Sequence, residues 1–199
     1  MMSDNIFDFS LLDEDATLER LHDRLGAAAE PAGLVDIAYR TLDSPVGALL
    51  LAATPVGLVR VAFDIEDHDT VLARLADQLS PRILRSPGRL DPVARQIDEY
   101  FAKRRTDFDV AVDLSLTDGF RRSVIEHLRD IDYGRRESYA QVAAAIGSPR
   151  AVRAVGSACA HNPLPVVIPC HRVVRSDGST GQYVGGPLAK SALLDLEAA

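Results

Sequence analysis

The stretch Val166-Val167-Ile168-Pro169-Cys170-His171-Arg172-Val173-Val174 sets a thiol and an imidazole side by side inside a run that is otherwise apolar and largely β-branched. Runs of that composition belong in a core. Three polar residues interrupting one cost burial energy unless a site uses them, and Pro169 fixes the backbone and removes a donor just before the cysteine. A free thiol, with a pKa of about 8.5, is only a few per cent thiolate at neutral pH, so a neighbouring base makes Cys170 a candidate nucleophile and His171 its base. Adjacent residues of an extended segment point to opposite faces, which makes a water the expected relay between thiol and imidazole. An acid is needed to orient the imidazole. The carboxylates downstream are Asp177, Asp195 and Glu197, and spacing does not choose among them. Packing alone explains many Cys-His pairs, because cysteine is often just a small buried hydrophobe; the surroundings of this pair favour chemistry.

Upstream of the pair, the pattern is helical. Thr117-Asp118 is placed to cap a helix with Phe120, Val124, Ile125, Leu128 and Ile131 on its apolar face. Ser138 caps a short helix through Ile146, Gly147-Ser148-Pro149 breaks it, and Ala151 to Ala160 forms another before Asn162-Pro163. Two short helices joined by a glycine-containing turn read as a helix-turn-helix, although many helical pairs share that spacing.

The first part of the chain reads differently. Ile37 to Leu42, Ala48 to Ala53 and Leu58 to Phe63 are three strands separated by Ser44-Pro45-Val46-Gly47 and Thr54-Pro55-Val56-Gly57, which predicts an antiparallel meander. Asp67 to Leu79, with Val71, Leu72, Leu75 and Leu79, and Pro92 to Lys103, with Val93, Ile97, Tyr100 and Phe101, are helices that should cover the sheet. Alternation of Phe108, Val110, Val112 and Leu114 predicts one more half-buried strand. Before all this, residues 1–33 hold eight acids and two arginines, and Leu18, Leu21 and Leu25 mark one amphipathic helix that ends at Ala27-Ala28-Ala29-Glu30-Pro31-Ala32-Gly33. The expected organisation is an acidic helical extension and linker over 1–33, an α/β domain over 34–115 and a second domain over 116–199.

At 199 residues, 47% hydrophobic and 26% charged, the chain is neither disordered nor fibrous. It lacks an apolar stretch of the roughly 18 residues a membrane helix needs, and its acidic, polar start does not read as a secretory leader, so a cytoplasmic protein with no membrane partner is expected. Cys159 and Cys170, eleven positions apart, read as free thiols and fit no compact zinc pattern. The net charge of −7 hides a division: residues 1–119 carry 12 basic and 22 acidic side chains, residues 120–199 carry 10 and 7. A phosphate-facing surface would lie in the second half.

Taken together, these residues resemble the O6-alkylguanine-DNA alkyltransferase family. Pro169-Cys170-His171-Arg172-Val173-Val174 matches its acceptor signature; Arg153-Ala154-Val155-Gly156-Ser157-Ala158 with Asn162-Pro163 matches its recognition helix and following turn; Gly181, Tyr183 and Gly185-Gly186 match the loop that closes the guanine pocket. The resemblance runs in order through most of residues 35–199 and is strongest over 138–197. It implies an α+β protein: a small mixed sheet with helices of ribonuclease H-like fold, then a helical domain with the helix-turn-helix and an active-site loop.

The implied activity is direct reversal of damage in double-stranded DNA. An alkyl group on O6 of guanine, with O4-alkylthymine as a second candidate lesion, would pass irreversibly to Cys170 in one turnover per molecule, without cofactor or metal. The resemblance assigns His171 as base through water, Glu197 as its orienting acid, Asn162 to the same network and Tyr139 as donor to the leaving base. Arg153 would fill the stack when the nucleotide flips out. Ala154, Gly156, Ser138, Arg172 and Ser176 complete the DNA-facing set, and Val173, Tyr183, Val184 and Gly185 line the base pocket. The DNA contact would run through the minor groove with little sequence preference, by a monomer. The chain departs from the pattern at Asp132, where a proline commonly precedes Tyr133-Gly134, and at Val184, where some members have a serine. It also lacks the zinc ligands of some relatives; His22, His68, His127 and His161 read as surface or packing residues. Two rivals use the same helix-turn-helix. A damage-flagging binding module would lack the acceptor cysteine, and a transcriptional regulator with an N-terminal sensor would need no Cys-His pair.

Overall fold

In the computed structural model, which describes residues 14–198, strands β1 (Ile37–Leu42), β2 (Leu49–Ala53) and β3 (Leu58–Phe63) form the expected antiparallel meander. Every residue of β2 is apolar because the strand is central and covered on both faces. Its alternation sorts two cores: Leu50 and Ala52 face Val71 and Leu75 of α2 (His68–Gln78), while Leu49, Leu51 and Ala53 face Val93, Ile97 and Tyr100 of α3 (Asp91–Phe101). A strand that the sequence pattern did not mark, β4 (Ile83–Arg85), pairs parallel with β1 and gives a mixed sheet of order β3-β2-β1-β4.

The strand expected over Phe108 to Leu114 does not form. Only a single parallel bridge joins Leu58 to Val112. The Gln96 side chain takes the place of a strand neighbour at Asp109, donating to its carbonyl at 2.9 Å and accepting from its N–H at 2.8 Å. The segment still lies tight on β3: a Cβ on Gly57 would come 2.4 Å from the Ala111 carbonyl.

The amphipathic lead is helical where described, as α1 (Glu14–Ala29), but its leucine face is not buried: Leu18, Leu21 and Leu25 are 53, 52 and 52% exposed. Its end is attached to the sheet domain. Ala29 packs with Val35 and Ala38, and Glu30 receives Ser86 and Arg89. The segment 1–13 of the expected extension lies outside the described residues.

The second half contains α4 (Gly119–Leu128), β5 (Glu137–Ser138), α5 (Tyr139–Ala145), α6 (Val152–Ala160), β6 (Val173–Val174) and α7 (Gly186–Glu197). Asp118 precedes α4 without a side-chain cap bond, and the Thr117 hydroxyl donates instead to the Leu114 carbonyl. Ser138 does cap α5, in a reciprocal box with Gln141. Gly147, at φ +70°, supplies the left-handed turn between α5 and α6. β5 and β6 pair in parallel, fastening the start of the helix-turn-helix to the exit of the Cys-His turn. Val124, Ile125 and Leu128 of α4, Val155 of α6, Cys170 and the inner face of the sheet share one continuous core, so the Cys-His turn is held by both halves of the molecule. Each fully buried branched side chain there contributes about 1.5–3 kcal/mol. Among the described residues, no helix is long and apolar enough to cross a membrane.

Candidate active site

The Cys-His turn rests on a constrained loop. After α6, Asn162 is fully buried; its Oδ1 accepts from the Leu164 N–H at 3.0 Å and its Nδ2 donates to the Ile168 carbonyl at 2.8 Å. Between these ties Val166 adopts φ +72°, a left-handed conformation that a β-branched residue takes only under constraint, at a cost of order 1–3 kcal/mol. From the sheet, the Val61 N–H donates to the Pro163 carbonyl at 2.8 Å. Cys170–Arg172 then form a single 3-10 turn rather than an extended segment, with the Arg172 N–H closing on the Pro169 carbonyl.

Cys170 is 2% exposed. Burial pushes its thiol up to about 11, against the opposing pull of the Asn162 amide, the Lys190 ammonium and its own backbone N–H. The thiol is therefore protonated at neutral pH, and any attack by its sulfur would require a base. His171, fully buried, sits with Nε2 2.9 Å from Glu197 Oε1. A carboxylate only accepts, so Nε2 carries the hydrogen and Nδ1 holds the basic lone pair. Nδ1 has no protein partner among the described residues. Burial lowers the imidazole pKa, with Arg172 and Lys190 adding to the effect and Glu197 opposing it, so the ring is neutral and able to take a proton.

Glu197 is 5% exposed and carries five hydrogen bonds: from His171 Nε2, from Arg172 Nε and Nη2 at 2.9 Å each, from the Tyr100 hydroxyl at 2.7 Å and from the Gly134 N–H at 3.2 Å. Burial alone would raise its pKa; the bonds from His171, Arg172 and Tyr100 outweigh it and hold the carboxylate well below the usual range. Of the three acids that spacing left open, Asp177 and Asp195 are exposed, and only Glu197 meets the imidazole.

The loop after β6 closes around Tyr139. Its ring lies against Gly156 of α6, and a Cβ on Gly181 would fall 2.2 Å from its hydroxyl. A Cβ on Gly185 would likewise meet the Phe63 ring at 2.7 Å. Phe63 stacks edge-on with Tyr183 at 5.6 Å, and Tyr183 with His171 at 6.3 Å. Beside these rings opens a groove of about 460 Å³ lined by Ala160, Arg175, Gly181, Gln182, Tyr183 and Val184. Arg153 and Ala154 stand exposed on α6, Ser176 is exposed beyond β6, and Arg135, Arg136, Arg150 and Arg175 are also exposed. A larger cleft of about 800 Å³ lies behind the turn, but Asp107, Asp130 and Asp132 on its rim suit it poorly to phosphate.

The structure thus brings Cys170, His171, Glu197 and Asn162 into one buried cluster, with Tyr139, Val173, Tyr183, Val184 and Gly185 around it. One assignment is corrected. Arg172, expected to face DNA, is 6% exposed and bonded to Glu197 and the Ile131 carbonyl. The Ser138 hydroxyl is engaged in its cap. Three residues that sequence reasoning missed also belong to the site: Tyr100 on Glu197, Phe63 behind Gly185, and Lys190, which is 1% exposed and donates to the Val173 carbonyl at 2.6 Å. A lysine among Ala189, Leu193 and Leu194 on one helix face was a usable signal, because a buried ammonium needs a partner.

The domain described as 6-O-methylguanine DNA methyltransferase, ribonuclease-like domain, matches residues 37–114, and that described as 6-O-methylguanine DNA methyltransferase, DNA binding domain, matches residues 119–199. A methylated-DNA–protein-cysteine methyltransferase of Mycobacterium bovis is 39% identical over 167 residues, which is 81% of this chain and 92% of the relative. One from Methanosarcina barkeri is 35% identical, covering 80% and 96%. The crystal structure of Mycobacterium tuberculosis OGT in complex with DNA superposes with a TM-score of 0.70 at 38% identity, over 81% of this chain and 92% of that one. The sheet domain, the helical domain and the buried Cys-His-Glu cluster therefore sit in a member of the methylated-DNA–protein-cysteine methyltransferase family, whose members are DNA repair enzymes.

Proposed function

We propose that Cys170 is the acceptor, taking the alkyl group from O6 of a guanine in double-stranded DNA. The observation that carries this reading is a fully buried thiol next in sequence to a neutral imidazole whose tautomer is fixed by Glu197. His171 Nδ1 takes the thiol proton through a water as sulfur attacks the alkyl carbon. The S–C bond forms while the C–O6 bond breaks, and the departing guanine is neutralised by a proton from Tyr139, to be replaced from solvent. His171 releases to solvent the proton it took, so the net change is alkyl from oxygen to sulfur and one proton from thiol to guanine. Asn162 holds the loop, and Tyr183, Val184 and Gly185 bound the base pocket.

On the DNA side, Arg153 fills the gap left by the flipped nucleotide, and Ala154 and Gly156 let α6 approach a minor groove. Reading that groove suits repair without sequence preference. The protein works as a monomer in the cytoplasm, a compartment that keeps Cys170 reduced, and the chain divides near Leu116. The thioether is stable and Cys159, buried in α6, is not placed in the acceptor turn, so each molecule acts once. The test is Cys170→Ser. Alkyl transfer from a duplex containing O6-methylguanine should vanish while duplex affinity stays within a few fold; equal loss of both would make Cys170 structural.

A further inference from the structure

Tyr100 belongs to α3, in the sheet domain, yet its hydroxyl donates to Glu197 Oε1 at 2.7 Å. The same oxygen accepts His171 Nε2 and Arg172 Nη2, each at 2.9 Å. A carboxylate oxygen offers two lone pairs, so three donors share them, and what the phenol draws is withheld from the imidazole. We propose that Tyr100 is a positioning residue for alkyl transfer, whose hydroxyl moderates Glu197 so that His171 stays in its basic, uncharged form until it relays the Cys170 proton. This assignment rests on the reading of Cys170 as acceptor and His171 as its base.

Packing explains the ring but not the hydroxyl. The Tyr100 ring meets Phe101 and Phe108 at 5.3 Å and Tyr133 at 6.1 Å between centroids, contacts that phenylalanine would make equally. A fully buried hydroxyl is a liability unless bonded, and among the described residues its acceptor is the carboxylate that orients the base. Burial and the facing Glu197 keep the phenol protonated throughout the working range, so it acts as a permanent donor. The charged and titratable groups around the pair are Arg172 of the turn, Lys190 of α7, Cys170, Tyr133 and Tyr183. The cations already disfavour a charged imidazole; Tyr100 adds to them by tempering the one anion that favours it.

Two replacements test this in opposite directions. Tyr100→Phe deletes the donor, and 3-fluorotyrosine at position 100 makes it more acidic while keeping its shape. The titration midpoint of His171 is followed by NMR in the free full-length protein, and the acid limb of the pH–rate profile is measured for single-turnover transfer from a duplex containing O6-methylguanine. Tyr100→Phe should raise both by roughly 0.5 to 1 pH unit, the equivalent of one net hydrogen bond, and the fluorinated protein should lower both. A midpoint unmoved in either protein overturns the assignment, as does a shift of the same sign in both. Should wild-type protein carry no alkyl group on Cys170, the acceptor reading fails by itself, while the NMR midpoints still decide what Tyr100 does to His171. A Tyr100→Phe protein too unstable to titrate leaves the fluorotyrosine shift to decide.

Discussion

Glu197→Gln is the substitution whose cost the structure defines best. Glutamine keeps the shape but turns one oxygen into an amide NH₂. Oε1 faces three donors and Oε2 faces two, so in either orientation the new NH₂ points at two or more of them. Arg172, 6% exposed, loses its counter-charge at the same time. Breaking a buried, hydrogen-bonded ion pair costs about 3–5 kcal/mol. At about 2–4 °C per kcal/mol for a chain of this size, Tm should fall by about 6–20 °C at neutral pH. The sign with pH follows from the depressed carboxylate. Its contribution is complete above the unfolded pKa near 4.3 and is lost as pH falls below that value towards the folded one, so the gap between wild type and variant should narrow in acid. Transfer should slow more than DNA binding weakens, because the imidazolium formed during attack loses its anion. Thermal melts at a series of pH values, with single-turnover transfer and duplex titrations, measure all three. A neutral-pH loss under about 2 °C, a gap independent of pH, or a wild-type transfer rate would refute this role for Glu197.

Three other expectations can be checked independently. Arg153→Ala should reduce repair of a duplex more than transfer from the free alkylated base, since the side chain supports flipping and not the chemistry; equal losses in a paired assay would remove that role. Gly181→Ala should cut transfer by at least tenfold, because its methyl group falls on the Tyr139 hydroxyl, and a variant with unchanged rate would show that the loop moves freely aside. Alkylated protein should melt about 2–12 °C below the free form, from about 1–3 kcal/mol of overpacking beside Asn162; calorimetry showing equal stability would contradict the packing argument.

Much of this molecule was legible in its sequence because the signals were local. Apolar segments between turn residues marked the meander, Ser138 marked the start of α5, and a Cys-His pair embedded in β-branched residues marked the site. What escaped depends on partners remote in sequence. Ile83–Arg85 is too short to show a period, and it is a strand only because β1 lies beside it. Phe108 to Leu114 alternates like a strand, yet the Gln96 side chain claims its backbone. Arg172 read as a surface cation beside the acceptor because nothing local shows that Glu197, at the far end of α7, folds back onto it. Tyr100 did leave a trace: a tyrosine on an otherwise apolar helix face requires a partner for its hydroxyl, although not which one. Glu197 was singled out by family resemblance, where spacing alone left three acids.

The central claim is that Cys170 keeps the alkyl group and is spent by doing so. It is tested most directly by titrating protein against an excess of duplex carrying O6-methylguanine, then weighing the intact protein and its peptides. The expected result is a burst that stops at one methyl group per active molecule, located on the peptide bearing Cys170, with unmodified guanine restored in equal amount. Continued turnover, or a methyl group on Cys159 or any other side chain, would contradict it.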